Sequence, residues 1–249
     1  MVHPSPTEDT FLADADPAKR QEAARIWAMR AGLELSVSAA YAVILRELFQ
    51  TGAERPVLEL CSAACAEEVR HAVLCLEVAE ALDGKQRHWP TAASLHVPSY
   101  DGVAPGPMLS ALHLVAMSCL NESIACVRLA EALKLTRVDV VKDALHQILR
   151  DEVQHARAGW AHLAGQHVTV EMKAAIGRFV PHLISASLRG LIEENDSIPS
   201  EHFAAFGLPH LDLAREHAQK AVFDVVLPGF VRLGIPFDHA RARVSVLSV

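Results

Sequence analysis

Four stretches of this 249-residue chain run for 27–34 residues with apolar side chains returning at helical period and no convincing strand alternation between them. An ordinary helix has about 11–12 residues. Stripes this long are buried by laying the helices side by side, so the chain is expected to be all-α and to form a bundle. Asp16-Pro17 reads as a cap followed by proline at the first helical position, opening a helix that Gly52 stops. Its inward stripe is Trp27, Ala31, Glu34, Ser38, Tyr41, Leu45, Leu48. Pro56 opens a second helix ending at Asp83-Gly84, with stripe Cys61, Cys65, Glu68, Ala72, Cys75 and His71 beside it. A third runs from Pro107 to about 135 with stripe Cys119, Glu122, Cys126. Thr136 and Asp139 read as a capping arrangement for a fourth, which reaches Gly165 with stripe Leu145, Ile148, Glu152, His155, Gly159.

Two tight connections, at 51–55 and near 136, make each successive pair of helices antiparallel. The 22-residue link over 85–106 can reach about 70 Å when extended, whereas a 27-residue helix is about 40 Å long. The link can therefore travel the full bundle and start the third helix parallel to the second: a four-helix bundle with one long crossover. Two additional C-terminal helices are expected, at 169–194 with a kink near Pro181 and at 209–233 with Pro228 inside. The tail from Pro236 stays unassigned. The organisation expected is a flexible N-terminal segment over 1–16, the bundle over 17–165, and C-terminal helices packing on it over 166–249.

Composition narrows the partners. With 23 basic and 30 acidic residues the net charge is −7, which disfavours nucleic acid. No uninterrupted apolar run reaches the roughly 18 residues that span a bilayer, so no membrane partner is expected. The acidic, proline-spotted N-terminus is unlike a targeting peptide. Five cysteines inside apolar helical pattern suit a reduced, cytoplasmic interior.

The chemistry is carried by Glu68-Val69-Arg70-His71 and Glu152-Val153-Gln154-His155, both E-x-x-H. With 18 Glu and 14 His, chance alone yields about one such spacing. Their placement matters more than their number. Residues three apart leave a helix on the same face, and here that face is otherwise apolar. A carboxylate aimed into a bundle core is costly unless paired or bound to metal. In a hairpin, residues equidistant from the turn are neighbours, which sets Glu34 level with His71 and Glu122 level with Glu152. Glu47 lies 13 residues from Glu34 and Glu131 nine beyond Glu122, so both miss that level. Four carboxylates and two imidazoles then converge. Two divalent cations would neutralise the acids, and oxygen ligands with imidazole suit iron or manganese, zinc less specifically.

Glu34, Glu68-x-x-His71, Glu122 and Glu152-x-x-His155 resemble the ligand set of the ferritin-like di-iron carboxylate superfamily, which includes the rubrerythrins and the non-haem di-iron oxygenases. The likeness covers about 17–165. It implies that Glu34, Glu68 and His71 hold one iron and Glu122, Glu152 and His155 the other, with Glu68 and Glu152 bridging and manganese as the alternative metal. It also implies that Asp151 accepts a hydrogen bond from His71 outside the metal shell. Glu67 takes the corresponding place in the first motif, where an Asp is usual. Tyr41, seven residues after Glu34, matches a tyrosine that ferritins and rubrerythrins place near the metals; plain packing is the other reading. Cys75 stands where radical-forming ribonucleotide reductase subunits carry tyrosine, which argues against that activity. No C-x-x-C pair is present, so the thiolate electron-transfer domain of rubrerythrins is missing. Ile148 stands where some N-oxygenases add a histidine.

The layers flanking the expected metals hold Ser38, Cys65, Cys119 and Gly159 on one side, and Ala31, Cys75, Cys126 and Ile148 on the other. Two readings stand. Either these small residues leave a cavity for an organic substrate, with Tyr41 and Cys126 as pocket residues, or they are small hydrophobes that let helices close up. His146, His162 and His167 are expected at the surface or mouth. His88 and His96, with Trp89 and Tyr100, are expected to cover one bundle end. No catalytic residue beyond the metal ligands is expected. The functional expectation is an oxidoreductase that activates O2 to hydroxylate, N-oxygenate or desaturate a small molecule, served by an external electron donor. The alternatives are a ferroxidase or peroxidase that handles iron or peroxide without organic substrate, and a non-catalytic bundle with a structural metal. The last two helices could shield the site or form a homodimer face.

Overall fold

The computed structural model describes residues 9–92, 97–195, 198 and 201–248. Within them the chain is an all-α helical bundle without strands. Helix α1 (Asp9–Asp14) lies within the segment expected to be flexible, with the Phe11 ring 5.7 Å from that of Phe206. Helix α2 (Pro17–Thr51) begins as its sequence dictates: Asp16 accepts from the Ala18 amide at 2.9 Å. It ends at Gly52, whose φ of 73° is a left-handed cap that a side chain would strain. Helix α3 (Arg55–Asp83) follows after a tight turn and ends the same way at Gly84. Helix α4 (Pro107–Leu135) pairs in turn with α5 (Asp139–Ala164). The cap expected for α5 is not formed by Thr136. Its hydroxyl donates back to the Ala132 carbonyl at 2.8 Å, closing α4, while Val138 occupies the cap position of α5 without a side-chain bond.

Directions follow from residue pairs. His71 meets Asp151 while Glu67 meets His155, so α3 and α5 are antiparallel. Glu47 meets His113 while Tyr41 meets Glu122, so α2 and α4 are antiparallel as well. Helices α3 and α4 are therefore parallel, and the link between them crosses the bundle lengthwise. Thr91 passes Gly32 on α2, and further on the Pro98 carbonyl accepts from His113 at 2.6 Å. Tyr100 stacks on His113 and Phe179 rather than capping a bundle end, and Trp89 is exposed. His96 lies outside the described residues.

Helix α4 departs from the uninterrupted α pattern: Val115–Glu122 is a π-helical segment ending at Glu122. Such wide turns concentrate at functional sites. The C-terminal region holds more than two helices. Helix α6 (Val170–Asn195) carries Pro181 as expected, and Glu201–Phe206 is a 3-10 turn. Helix α7 (211–232) widens to a π turn over Val222–Val226 just before Pro228, which relieves the proline ring's clash with the preceding turn. Helix α8 (His239–Leu247), unassigned from sequence, packs on α6. One apolar cluster joins these helices to α4, through Leu112, Leu120, Ile184, Val222 and Phe230. Two others fill the four-helix bundle on either side of its middle, around Trp27 and Leu145 and around Tyr41, Leu48 and Leu114.

Helices α2 and α4 are both long and apolar enough to cross a membrane by length and composition. Counting uninterrupted apolar residues missed this because single polar residues interrupt the runs. Each nonetheless carries an acid directed to the shared interior, Glu34 or Glu122, and most of the apolar stretch of α4 is buried in the bundle.

Helices α4 and α5 approach closely at Gly159, where a Cβ would lie 2.6 Å from Cys119 Sγ and 2.8 Å from Ser118 Cβ. Helical Gly190 on α6 meets nothing within 4 Å. Alanine gains the same helix propensity at both positions, so their difference isolates the collision. Gly159→Ala is expected to be less stable than Gly190→Ala by about 1–3 kcal/mol, measured by urea unfolding.

Candidate metal centre

Six side chains meet in the middle of the bundle, from all four of its helices. Ligand atoms of Glu34, Glu68, His71 and Glu152 lie within 4.8 Å of one another, and so do those of Glu68, Glu122, Glu152 and His155. The two groups share Glu68 and Glu152. Glu68, His71 and His155 are fully buried, Glu122 and Glu152 nearly so, and Glu34 is half-buried. Buried Glu and His in this arrangement could hold a metal ion.

The imidazoles face inward through Nδ1. His71 Nδ1 lies 3.2 Å from Glu68 and 3.6 Å from Glu152; His155 Nδ1 lies 2.9 Å from each of the same two carboxylates. Their outer nitrogens are held crosswise. His71 Nε2 is 3.4 Å from Asp151 on α5, and His155 Nε2 is 2.9 Å from Glu67 on α3. Each motif thus supplies the acid that orients the other motif's histidine, which fixes the ring and its tautomer. Asp151 is held in turn by Arg70, at 2.9 Å, and by Arg150. Arg70 stands inside the first E-x-x-H and had not been singled out; its position three residues after Glu67 was the available signal.

The electrostatics are those of an overfilled acid cluster. Burial and then repulsion from Glu152 and Glu68 push Glu122 well above the usual carboxylate range. Burial and repulsion from Glu68 raise Glu152. Burial also opposes ionisation of Glu68, but hydrogen bonds from His155 and His71 overcome it and hold that carboxyl at about 2. Burial disfavours protonated His155, yet Glu152 and Glu68 outweigh this and raise it to about 12. His71 is raised in the same way, against burial, by Glu68. Glu68 Oε1 is fully buried, and His155 Nδ1, 2.9 Å away, is its one close polar neighbour among the ion pairs of the described residues. That under-satisfied buried oxygen, the inward Nδ1 atoms and the surplus of acid fit a cationic occupant.

Tyr41 is fully buried, its hydroxyl 3.1 Å from Glu122 and 3.2 Å from Ser118. Burial and the Glu122 charge keep it a phenol, so it donates to that carboxylate. It sits among the metal-binding candidates rather than in a pocket. The rival acids lie elsewhere: Glu47 pairs with His113 at 2.8 Å and Glu131 with Lys134 at 2.6 Å. His146 and His167 are exposed, but His162 is buried, with Nε2 lacking a partner and its pKa lowered by burial.

A cavity of about 720 Å³ lies beside the centre and reaches Glu34, Glu68, Glu122 and Glu152. It is not where the small residues suggested. Of the eight, only Ile148 lines it; Cys126 and Tyr41 do not. Cys119 and Gly159 instead let α4 and α5 touch. The cavity lies between α2 and α4 and is walled by α6 and by the crossover at Val97, Pro98 and Tyr100. Comparison with models of protein families, with curated proteins and with solved structures finds no match.

Two experiments test the centre. Glu122→Ala or His155→Ala is expected to take metal content below that of the parent chain, and Glu67→Ala to weaken metal affinity about 10–100-fold, both read by metal analysis after dialysis. In the metal-free protein His155, raised to about 12, holds its proton at neutral pH, and burial with repulsion from Glu152 and Glu68 favours the protonated form of Glu122. A metal must expel these protons, so loading is expected to release them and to weaken as pH falls, measured by a pH indicator in weakly buffered solution.

Proposed function

We propose that this chain is a ferritin-like di-iron carboxylate protein that uses O2 to oxidise a small organic molecule. The observation that carries the proposal is the cavity of about 720 Å³ whose wall includes four of the six candidate ligands. Volumes of roughly 300–1,000 Å³ are typical of small-molecule sites. In this reading Glu34, Glu68 and His71 would hold one iron and Glu122, Glu152 and His155 the other, with Glu68 and Glu152 common to both groups. Two ferrous ions, when bound, supply the electrons and open positions that O2 reduction requires.

The chain's own residues do the rest. Asp151 and Glu67 keep each imidazole turned so that Nδ1 faces the metals. The Tyr41 hydroxyl donates a hydrogen bond to Glu122 and so orients that carboxyl group. Glu34, half-buried, is the most exposed of the six and faces the cavity. Helix α6 and the crossover cover the cavity and restrict water.

The test is anaerobic loading with Fe(II), metal counting, and exposure to O2 while visible absorption is followed. The proposal expects two irons per chain and a coloured species that outlives mixing. Immediate conversion to ferric oxide, or many irons per chain, points instead to iron handling. Absence of bound metal removes both.

A further inference from the structure

We infer that the cavity takes an elongated apolar molecule bearing one carboxylate, with Arg30 as its anchor. This inference rests on the oxidase reading of the adjoining centre. The cavity is long: its lining extends along α2 from Trp27 to Ile44, 17 residues or about 26 Å of helix. Most of that lining is aliphatic, including Leu33, Val37, Met117, Leu129 and Leu183. Cationic arginine side chains stand at one end only. Arg30 is one turn before Glu34 on α2, and Arg128 is six residues beyond Glu122 on antiparallel α4, so both lie on the same side of the carboxylate cluster. The opposite end is formed by Ile44, Tyr100 and His113, and there the Glu47 carboxylate already occupies His113.

Arg30 is the residue whose pairing is incomplete. Its guanidinium lies over the Trp27 ring, 5.2 Å from the centroid, and it forms no ion pair with any described residue. Exposed Glu193 lines the cavity too and does not pair with it. A guanidinium stacked on an indole keeps its planar donor edge free for a carboxylate, which it can bind with two parallel hydrogen bonds. With the acid cluster neutralised by metal, that edge is the attractive point for an anion, and the aliphatic wall takes the rest of the molecule. A neutral chain of the same length would gain the wall but not the anchor.

The test uses decanoate and 1-decanol as probes, titrated calorimetrically into the full-length protein, metal-free and loaded anaerobically with Fe(II). Decanoate is expected to bind loaded protein more tightly than decanol by about 10–100-fold. Arg30→Gln is expected to remove that advantage, leave decanol unchanged and leave metal content intact, while Arg30→Lys restores part of it. Ala186→Trp, which fills the cavity from α6, is expected to abolish binding of both probes. Equal binding of the two probes, or decanoate binding indifferent to Arg30→Gln, overturns the anchor; the latter is also the result if decanoate binds metal directly. Failure of the oxidase reading looks different: metal is retained but no O2 is consumed, with decanoate still bound to the loaded protein through Arg30.

Discussion

Four carboxylates share a dry interior with only two imidazoles to offset them, and the rest of the bundle is arranged around that imbalance. Burial opposes ionisation of Glu68, Glu122 and Glu152, and repulsion from neighbouring carboxylates compounds it for Glu122 and Glu152. Only Glu68, with a histidine on either side, keeps its charge easily. Without metal the cluster holds a proton on His155, and the raised pKa values of Glu122 and His71 favour their protonated forms too. The sign of the linkage differs across the site. The stabilisation from ionised Glu68 is present above the unfolded carboxyl pKa and fades as pH falls toward 2. That from protonated His155 is complete below the unfolded imidazole value and is lost as pH rises toward 12. A cation satisfies all of these groups together, so its binding couples to the spacing of four helices.

That spacing is uneven by design of the side chains. On one side Gly159 and Cys119 draw α4 and α5 into contact, and the crossed His–acid pairs with Arg70 tie α3 to α5. On the other side α2 and α4 touch through Tyr41 near Glu122 and through Glu47 with His113, and part elsewhere to leave the cavity. A bundle closed on one flank and open on the other holds its acids rigidly while leaving Glu34 approachable. The π segment ending at Glu122 belongs to this arrangement, since it carries both Ser118 and the acid that Tyr41 holds.

The long helices, their directions and the level of the six site residues were legible because each rests on local chemistry: proline and glycine punctuation, a 3.6-residue period, and distance from a hairpin turn. Glu34 found its level with His71 without any tertiary information. The crossed partners Asp151 and Glu67 were reachable only through the resemblance, and Arg70 only by looking beside them. The cavity was misplaced for a definite reason. Small residues at a helix face fit either empty space or close approach, and composition does not distinguish the two; at Cys119 and Gly159 the helices close up. The π turns and the cap at Val138 escaped as well, because nearby contacts such as Thr136 with Ala132 decide them.

The C-terminal helices give the bundle something that the metal chemistry alone does not require. A centre that only passes electrons between iron and oxygen needs a path for ions and no long apolar wall. Here Leu183, Ala186 and Leu191 of α6 face the interval between α2 and α4, and the crossover closes its far end at Pro98 and Tyr100. Tyr100 in turn packs on Phe179 and His113, so crossover and C-terminal region brace one another. Helix α6 is itself packed by α8 and by the segment before it, where Gly177 accommodates the Pro236 carbonyl with no room for a side chain. Remove this layer and the acids would face water, where the repulsion among them is screened and the same six residues would hold a cation far less selectively. The extension therefore acts on the centre in two ways at once: it sets the dielectric in which the carboxylates meet, and it shapes the space from which they can be approached.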